Sequence, residues 1–212
     1  MGQLPDIRLK PAPAFYFCAV DLFGPLIIRD TVKKGTHGKG YGVLFSCLVS
    51  RAVYIDLTEG YDTGSFIMVL RRFVSIRGYP RKMISDTGSQ LVATGKELRT
   101  IMHSWDWSEI KNFGKQEGMD WETTKSADVP WENGCSESLI RSTKICLESA
   151  IGASVMTFSE LQTVLFELGN LLNERPIGTK NCDPEEGTSL CPNDLLLGRA
   201  SSRVPAEPGT HV

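Results

Sequence analysis

From Phe15 onward the chain alternates short apolar runs with turn residues. Phe15 to Val20 is mostly apolar, Tyr41 to Val49 is a second such run, and in Ala52 to Leu57 apolar and polar residues alternate. Each is rich in β-forming residues and bounded by Gly, Ser or charged residues, which predicts three strands. Lys33, Lys34, Gly35, Gly38, Lys39 and Gly40 read as a loose turn between the first two, and the short connections predict an antiparallel meander. After Gly60 the period lengthens. Phe66, Val69, Leu70, Phe73 and Val74 recur at helical spacing, with Arg71 and Arg72 on the other face and Gly78-Tyr79-Pro80 as the stop. Lys82 to Ser85 then predicts a short strand that delivers Asp86, and Lys96 to His103 a second helix.

Between Ser104 and Ser126 the pattern weakens: Trp105, Trp107 and Trp121 follow no period, so the first half reads as loop and Asp120 to Lys125 as a short strand. The three tryptophans read as core or lid rather than as platforms for stacking bases. The last third is clearer. Glu137, Arg141, Lys144 and Glu148 share one helical face, while Leu139, Thr143, Cys146, Leu147 and Ala150 cover much of the other. Thr157 followed by Glu160 is a capping-box pair opening a helix whose Leu161, Leu165, Leu168 and Leu172 face the core and which ends at Arg175-Pro176. Residues 1–14, with Pro5, Pro11 and Pro13, read as an extended lead-in, 15–176 as one α/β domain, and 177–212 as a mostly irregular C-terminal extension.

Composition narrows the functional classes. At 212 residues, 41% hydrophobic and 23% charged, the chain can bury one real core. A net charge of -2 lacks the basic excess of an autonomous DNA-binding domain, so any nucleic-acid contact is expected to be local or assisted by further segments. The six cysteines form no CxxC pair and the three histidines lie far apart, which argues against a zinc site. Cys18 and Cys47 sit in apolar runs and read as small buried hydrophobes in a reducing interior, while a Cys182–Cys191 bridge stays open as a local pairing. No apolar stretch is long enough to span a bilayer, and the residues after Met1 do not read as a leader, so the expectation is an intracellular protein without membrane contact.

Candidate chemistry rests on three acids in distinct local settings: Asp21 in FCAVDLFGPL, Asp86 in RKMISDTGSQL and Glu137 in PWENGCSESLIRSTK. Two aspartates at strand ends and a glutamate opening a helix would make a cluster of hard oxygen ligands of the kind Mg²⁺ takes. Each acid has a plainer reading. Asp21 before Gly24-Pro25 and Asp86 before Thr87-Gly88 suit turns, and Glu137 suits the first turn of a helix. Asn133-Gly134 reads equally as a tight turn or as a hinge at the site. Arg141 and Lys144 read either as solvated partners of Glu137 and Glu148 or as phosphate contacts.

Taken together and in order, QLPDIRLKPAPAF, VDLFGPL, FSCLVSRAVYIDL, ISDTGSQL, PWENGCSESLIRSTK, LLNERPIG and LCPNDLLLGRASS resemble the integrase region of BEL/Pao-type retrotransposon polyproteins, and more broadly the catalytic core of retroviral and retrotransposon integrases. No single motif decides it, since DTGS alone also resembles aspartic proteases. The resemblance implies an α/β, RNase H-like fold: a mixed five-stranded sheet, antiparallel meander plus parallel strands, flanked by helices. It implies a metal-dependent polynucleotidyl transferase that processes and joins DNA 3′ ends, with Asp21, Asp86 and Glu137 holding two Mg²⁺ or Mn²⁺ ions and Asp21 bridging both. It also implies DNA contacts at Ser89, Gln90, Asn133, Arg141 and Lys144, element ends and target DNA as partners, a homo-oligomer, and residence in the nucleus or a cytoplasmic nucleoprotein particle. Thr87, Glu132 and Ser136 depart from residues common in the family, and Glu132 adds negative charge near the phosphate path. Two other functions compete: a catalytically inactive domesticated remnant that binds nucleic acid or protein, and an RNase H-type nuclease.

Overall fold

The computed structural model describes residues 11–31, 36–86, 96–124, 130–179 and 189–198; for 86, 96, 97, 99, 124 and 130–137 the description is of the backbone. Strands β1 (Phe17–Arg29), β2 (His37–Cys47) and β3 (Val53–Thr58) are followed by helix α1 (Thr63–Arg77), strand β4 (Lys82–Asp86) and helices α2 (Lys96–Ser104) and α3 (Trp107–Lys115). Then come β5 (Asp120–Thr124), α4 (Pro130–Ile151), β6 (Met156–Thr157), α5 (Phe158–Asn173), a ribbon of β7 (Gly178–Thr179) and β8 (Ser189–Leu190), and α6 (Pro192–Leu197). The main sheet runs β3-β2-β1-β4-β5, with two-residue β6 added beside the far end of β1. β1 pairs antiparallel with β2 and parallel with β4, and β4 pairs parallel with β5, giving the mixed sheet expected.

Strand β1 is central and buried on both faces, as its near-continuous apolar run requires. Cys18, Val20 and Leu22 join Phe66, Phe73, Leu98 and Ile110 in a core under α1, α2 and α3. Phe23 and Ile28 join Leu139, Ile140, Leu147, Leu161 and Leu165 in a second core under α4 and α5. The strand runs well past Val20, where the apolar pattern alone would stop it. Its register breaks between Phe23 and Leu26, where Gly24 (φ 132°) precedes a cis Pro25, and then resumes against His37 to Gly40. Gly24 occupies backbone space that side chains disfavour, so the break costs little there. Gly38, Lys39 and Gly40 are therefore strand residues and not part of a turn.

Gly42 faces Phe23 across the β1–β2 pair, and a Cβ on Gly42 would stand 2.1 Å from the Phe23 ring. The ring lies over bare backbone. Gly42→Ala is expected to displace Phe23 and cost ~1–3 kcal/mol through overpacking, measured by urea unfolding.

β3 is buried along all six residues, not on alternate positions as its sequence suggests. As the outer strand of the path it needs its polar groups covered, and side chains do this. At Val53 the Asn173 amide accepts from the backbone N–H at 2.8 Å and donates to the C=O at 2.9 Å, so one side chain stands in for an adjacent peptide. At Asp56 the fully buried carboxylate accepts from Arg72 Nε (2.7 Å), Tyr54 OH (3.2 Å), Gln162 Nε2 (2.7 Å) and Leu57 N–H (2.7 Å). Arg72 is thus a clamp from α1 to β3, and not merely a solvated cation.

α5 begins as its sequence predicts. Thr157 Oγ1 accepts from Glu160 N–H, the Glu160 carboxylate accepts from Thr157 N–H, and Leu161, Leu165, Leu168 and Leu172 are buried. Helix α3 replaces the expected loop, opened by Asp106, whose carboxylate accepts from Ser108 and Glu109 N–H. In the C-terminal extension, α6 opens at Pro192. Cys182 lies outside the described residues, while Cys18 and Cys47 are buried as expected. No helix among the described residues is long and apolar enough to cross a membrane.

Candidate functional site

The parallel register of β1 with β4 ends in the pair Val20↔Ser85. Asp21 and Asp86 each come one residue later, so the register carries them level on neighbouring strands, just past the last paired position. On its other side Asp86 pairs with Thr124 of β5. Asp21 is mid-strand, not at a strand end, which removes the reading of it as a turn residue. Between Cys18 and Phe23 it is the one position that is not buried. By strand alternation it belongs with Ala19 and Phe23, on the face that α4 and α5 cover.

A half-buried carboxylate needs partners. Asp21 Oδ1 accepts from Leu22 N–H at 2.8 Å. Lys144 of α4 is its cationic neighbour: burial pulls the ammonium's pKa below the usual lysine value, and the Asp21 charge pushes part of the way back. Lys144 is therefore directed toward the sheet. Arg141, three residues earlier on the same stripe, is exposed to solvent, as is Glu148. The helical period places Lys144 and Arg141 on one face but does not say which is drawn inward.

α4 begins at Pro130, seven residues before Glu137. Glu137 therefore lies in the second or third turn and does not open the helix, and the pull of the helix dipole on it is small there. Asn133 and Gly134 are helical and form no turn. Glu137 precedes Lys144 by two turns, about 10 Å along nearly the same stripe. Leu139, Ile140, Thr143 and Leu147 are the buried positions that face the sheet, and the Thr143 hydroxyl is satisfied within the helix, donating to Leu139 C=O at 2.8 Å. Ala150, expected on the buried side, is exposed, and Ile140 takes a core place that the sequence pattern did not assign.

Ser89, Gln90 and Thr87 lie outside the described residues, and Asn133, Glu132 and Ser136 are described through their backbone in α4. The structure thus sets Asp21 and Asp86 level, and the helix bearing Glu137 packs on the Asp21 face of the sheet. Among the described residues, which include the side chain of one member of this triad, no group of three His, Cys, Asp or Glu stands close enough to hold a metal ion. Asp21 supplies carboxylate oxygens of the kind a hard divalent cation takes, and the Lys144 ammonium is a charge with which that cation would share them.

One support lies outside the candidate site residues. Trp121 Nε1 on β5 donates to the buried Ser85 Oγ at 2.9 Å, tying β5 to β4 directly before Asp86. Trp105 is buried and stacks on Phe66, while the partly buried Trp107 and Trp121 pack against the same core and Trp107 Nε1 donates to Met102 C=O. A serine following the buried Met83 and Ile84 was the available signal for the Ser85 contact.

No protein-family model and no curated protein sequence matches the chain. Solved structures do. The HTLV-2 integrase catalytic core domain in complex with magnesium matches in its dimeric form at 14% identity, over 76% of this chain and 88% of that one, with a TM-score of 0.48. Its trimeric form matches at 12% identity, over 85% and 96%, with a TM-score of 0.49. A simian T-cell lymphotropic virus intasome in complex with PP2A regulatory subunit B56 gamma matches at 12% identity, over 94% of this chain and 61% of that chain, with a TM-score of 0.53. The likeness is one of fold: this chain has the RNase H-like fold of integrase catalytic cores.

Proposed function

We propose that the chain is an integrase catalytic core, of the BEL/Pao retrotransposon kind, acting as a metal-dependent polynucleotidyl transferase on DNA 3′ ends. The observation that carries the reading is the level placement of Asp21 and Asp86 on adjacent parallel strands, with the helix of Glu137 packed on the same face. Asp21, Asp86 and Glu137 are the residues that would hold the metal. Two Mg²⁺ or Mn²⁺ ions there would activate the attacking oxygen, from water or a DNA 3′ hydroxyl, and stabilise the departing one. Lys144 keeps positive charge beside Asp21, and Arg141, on the exposed part of the same stripe, meets the phosphate backbone. Ser89, Gln90 and Asn133 would extend that path.

With a net charge of -2, DNA affinity rests on this local stripe and on self-association into a homo-oligomer. Element ends and target DNA are the partners, met in the nucleus or in a cytoplasmic nucleoprotein particle. The same net charge favours a competing reading, an inactive remnant that binds without chemistry.

Metal titration separates the two. At ~100 times the dissociation constant a cation that binds the folded state adds about 2.7 kcal/mol, which for a chain of this size raises the melting temperature by roughly 5–10 °C. The expected result is such a rise with millimolar Mn²⁺ in the wild type and none in Asp21→Asn. Equal curves with and without metal would favour the remnant.

A further inference from the structure

At the outer strand of the sheet, two strands from β1, a cavity of about 250 Å³ lies among β3, the end of α1, α5 and α6. Ile55, Ile76, Phe166 and Gly169 give it apolar walls, and Ile76 and Phe166 are 59% and 40% exposed. Most of its polar side chains are already engaged. Asn173 is spent on both backbone groups of Val53, Asn193 Nδ2 donates to Asn170 Oδ1 at 3.1 Å, and Tyr54 OH donates to Asp56.

Arg77 is different. Its guanidinium carbon sits 5.3 Å from the centroid of the Phe15 ring, and its Nε is buried with no hydrogen-bond partner. Nε is closed off from solvent, so a ligand entering the cavity that Arg77 lines would meet the terminal Nη groups, which suit a planar carboxylate through parallel N–H bonds. Burial also lowers the Arg77 pKa, the mark of a cation short of solvent.

We propose that this cavity binds an apolar monocarboxylate, its body against Ile55, Ile76 and Phe166 and its carboxylate on Arg77. Arg77 is the one cation among the described residues that line the cavity, and it sets the charge, because a phosphate dianion would be only half neutralised. The volume sets the size: it falls below the roughly 300–1,000 Å³ of drug-sized pockets, so one aromatic ring or a short aliphatic chain fills it. Such a group arrives either as a free acid or as the C-terminal residue of a peptide.

The test is a titration of the isotopically labelled 212-residue chain, followed by amide NMR, with phenylacetate, its neutral amide, and a short peptide ending in phenylalanine with a free or an amidated terminus. Phenylacetate should give saturable shifts at Ile55, Arg77 and Gly169, and phenylacetamide should bind at least about tenfold more weakly. Arg77→Gln should bring the acid down to the level of the amide. Tighter binding of the free-terminus peptide than of phenylacetate would assign the site to a chain terminus, and the reverse to a free acid. Equal binding of acid and amide by the wild type, which needs no variant to fold, would overturn the proposal, as would shifts clustered away from β3.

Discussion

On the proposed function, Asp21→Asn is expected to lower DNA strand transfer by a factor of roughly 10³ or more while leaving the fold in place. The magnitude follows from what the carboxylate is asked to do: removing several kcal/mol of charge stabilisation from a transition state costs a factor of ten for each 1.36 kcal/mol. Asn preserves the shape, and its side-chain oxygen still accepts from Leu22 N–H, the contact made by Oδ1 now. Circular dichroism should therefore match the wild type, and melting without metal should shift only by what the half-buried Lys144 loses in its charged neighbour. Glu137→Gln should be as severe, and the double variant no worse than either single one, because groups that serve one centre fail together. A strand-transfer assay on oligonucleotide ends reads all three, and joining by Asp21→Asn at more than about a tenth of the wild-type rate would refute the assignment.

Arg72→Met destabilises the protein by about 3–5 kcal/mol, the loss expected when one partner of a buried ion pair is removed and the other stays. Asp56 has a side chain with no exposure, and Arg72 Nε is its charged donor at 2.7 Å. Tyr54, Gln162 and Leu57 still hydrogen-bond the carboxylate in the variant, so the cost should fall at the lower end of that range. Arg72 Nη2 also donates to Leu57 C=O at 3.0 Å, a backbone group that the variant leaves uncovered. At 2–4 °C per kcal/mol the melting temperature drops by roughly 6–12 °C. Asp56→Leu combined with Arg72→Met removes both charges, and should recover much of the loss. Additive losses across the cycle would show that the pair is not coupled.

The course of the strands was legible only in part. FGPL reads as the end of a strand because Gly and Pro normally stop one; β1 continues because a register break absorbs both residues and the strand resumes against a Gly- and Lys-rich stretch of β2. The period of β3 misleads because Asp56 looks like a solvent position, whereas Arg72, 16 residues away, makes its burial tolerable. Asn133-Gly134 reads as a turn by local preference, and the helix extending from Pro130 overrides it. The spacing of α5 and its Thr157–Glu160 cap were readable because those signals are local. The level placement of Asp21 and Asp86 depends on strand register, which no local pattern encodes, and the inward Lys144 depends on the depth at which α4 packs.

The amide of Asn173 has a consequence for solubility. An outer strand with bare N–H and C=O groups is a template on which a foreign segment can add, and successive additions build fibres. At Val53 that template is blocked by a side chain that satisfies both groups at once. Because the blocking group comes from the end of α5, loss of that helix would bare the strand. A partly unfolded molecule in which α5 has peeled away is then the species that aggregates.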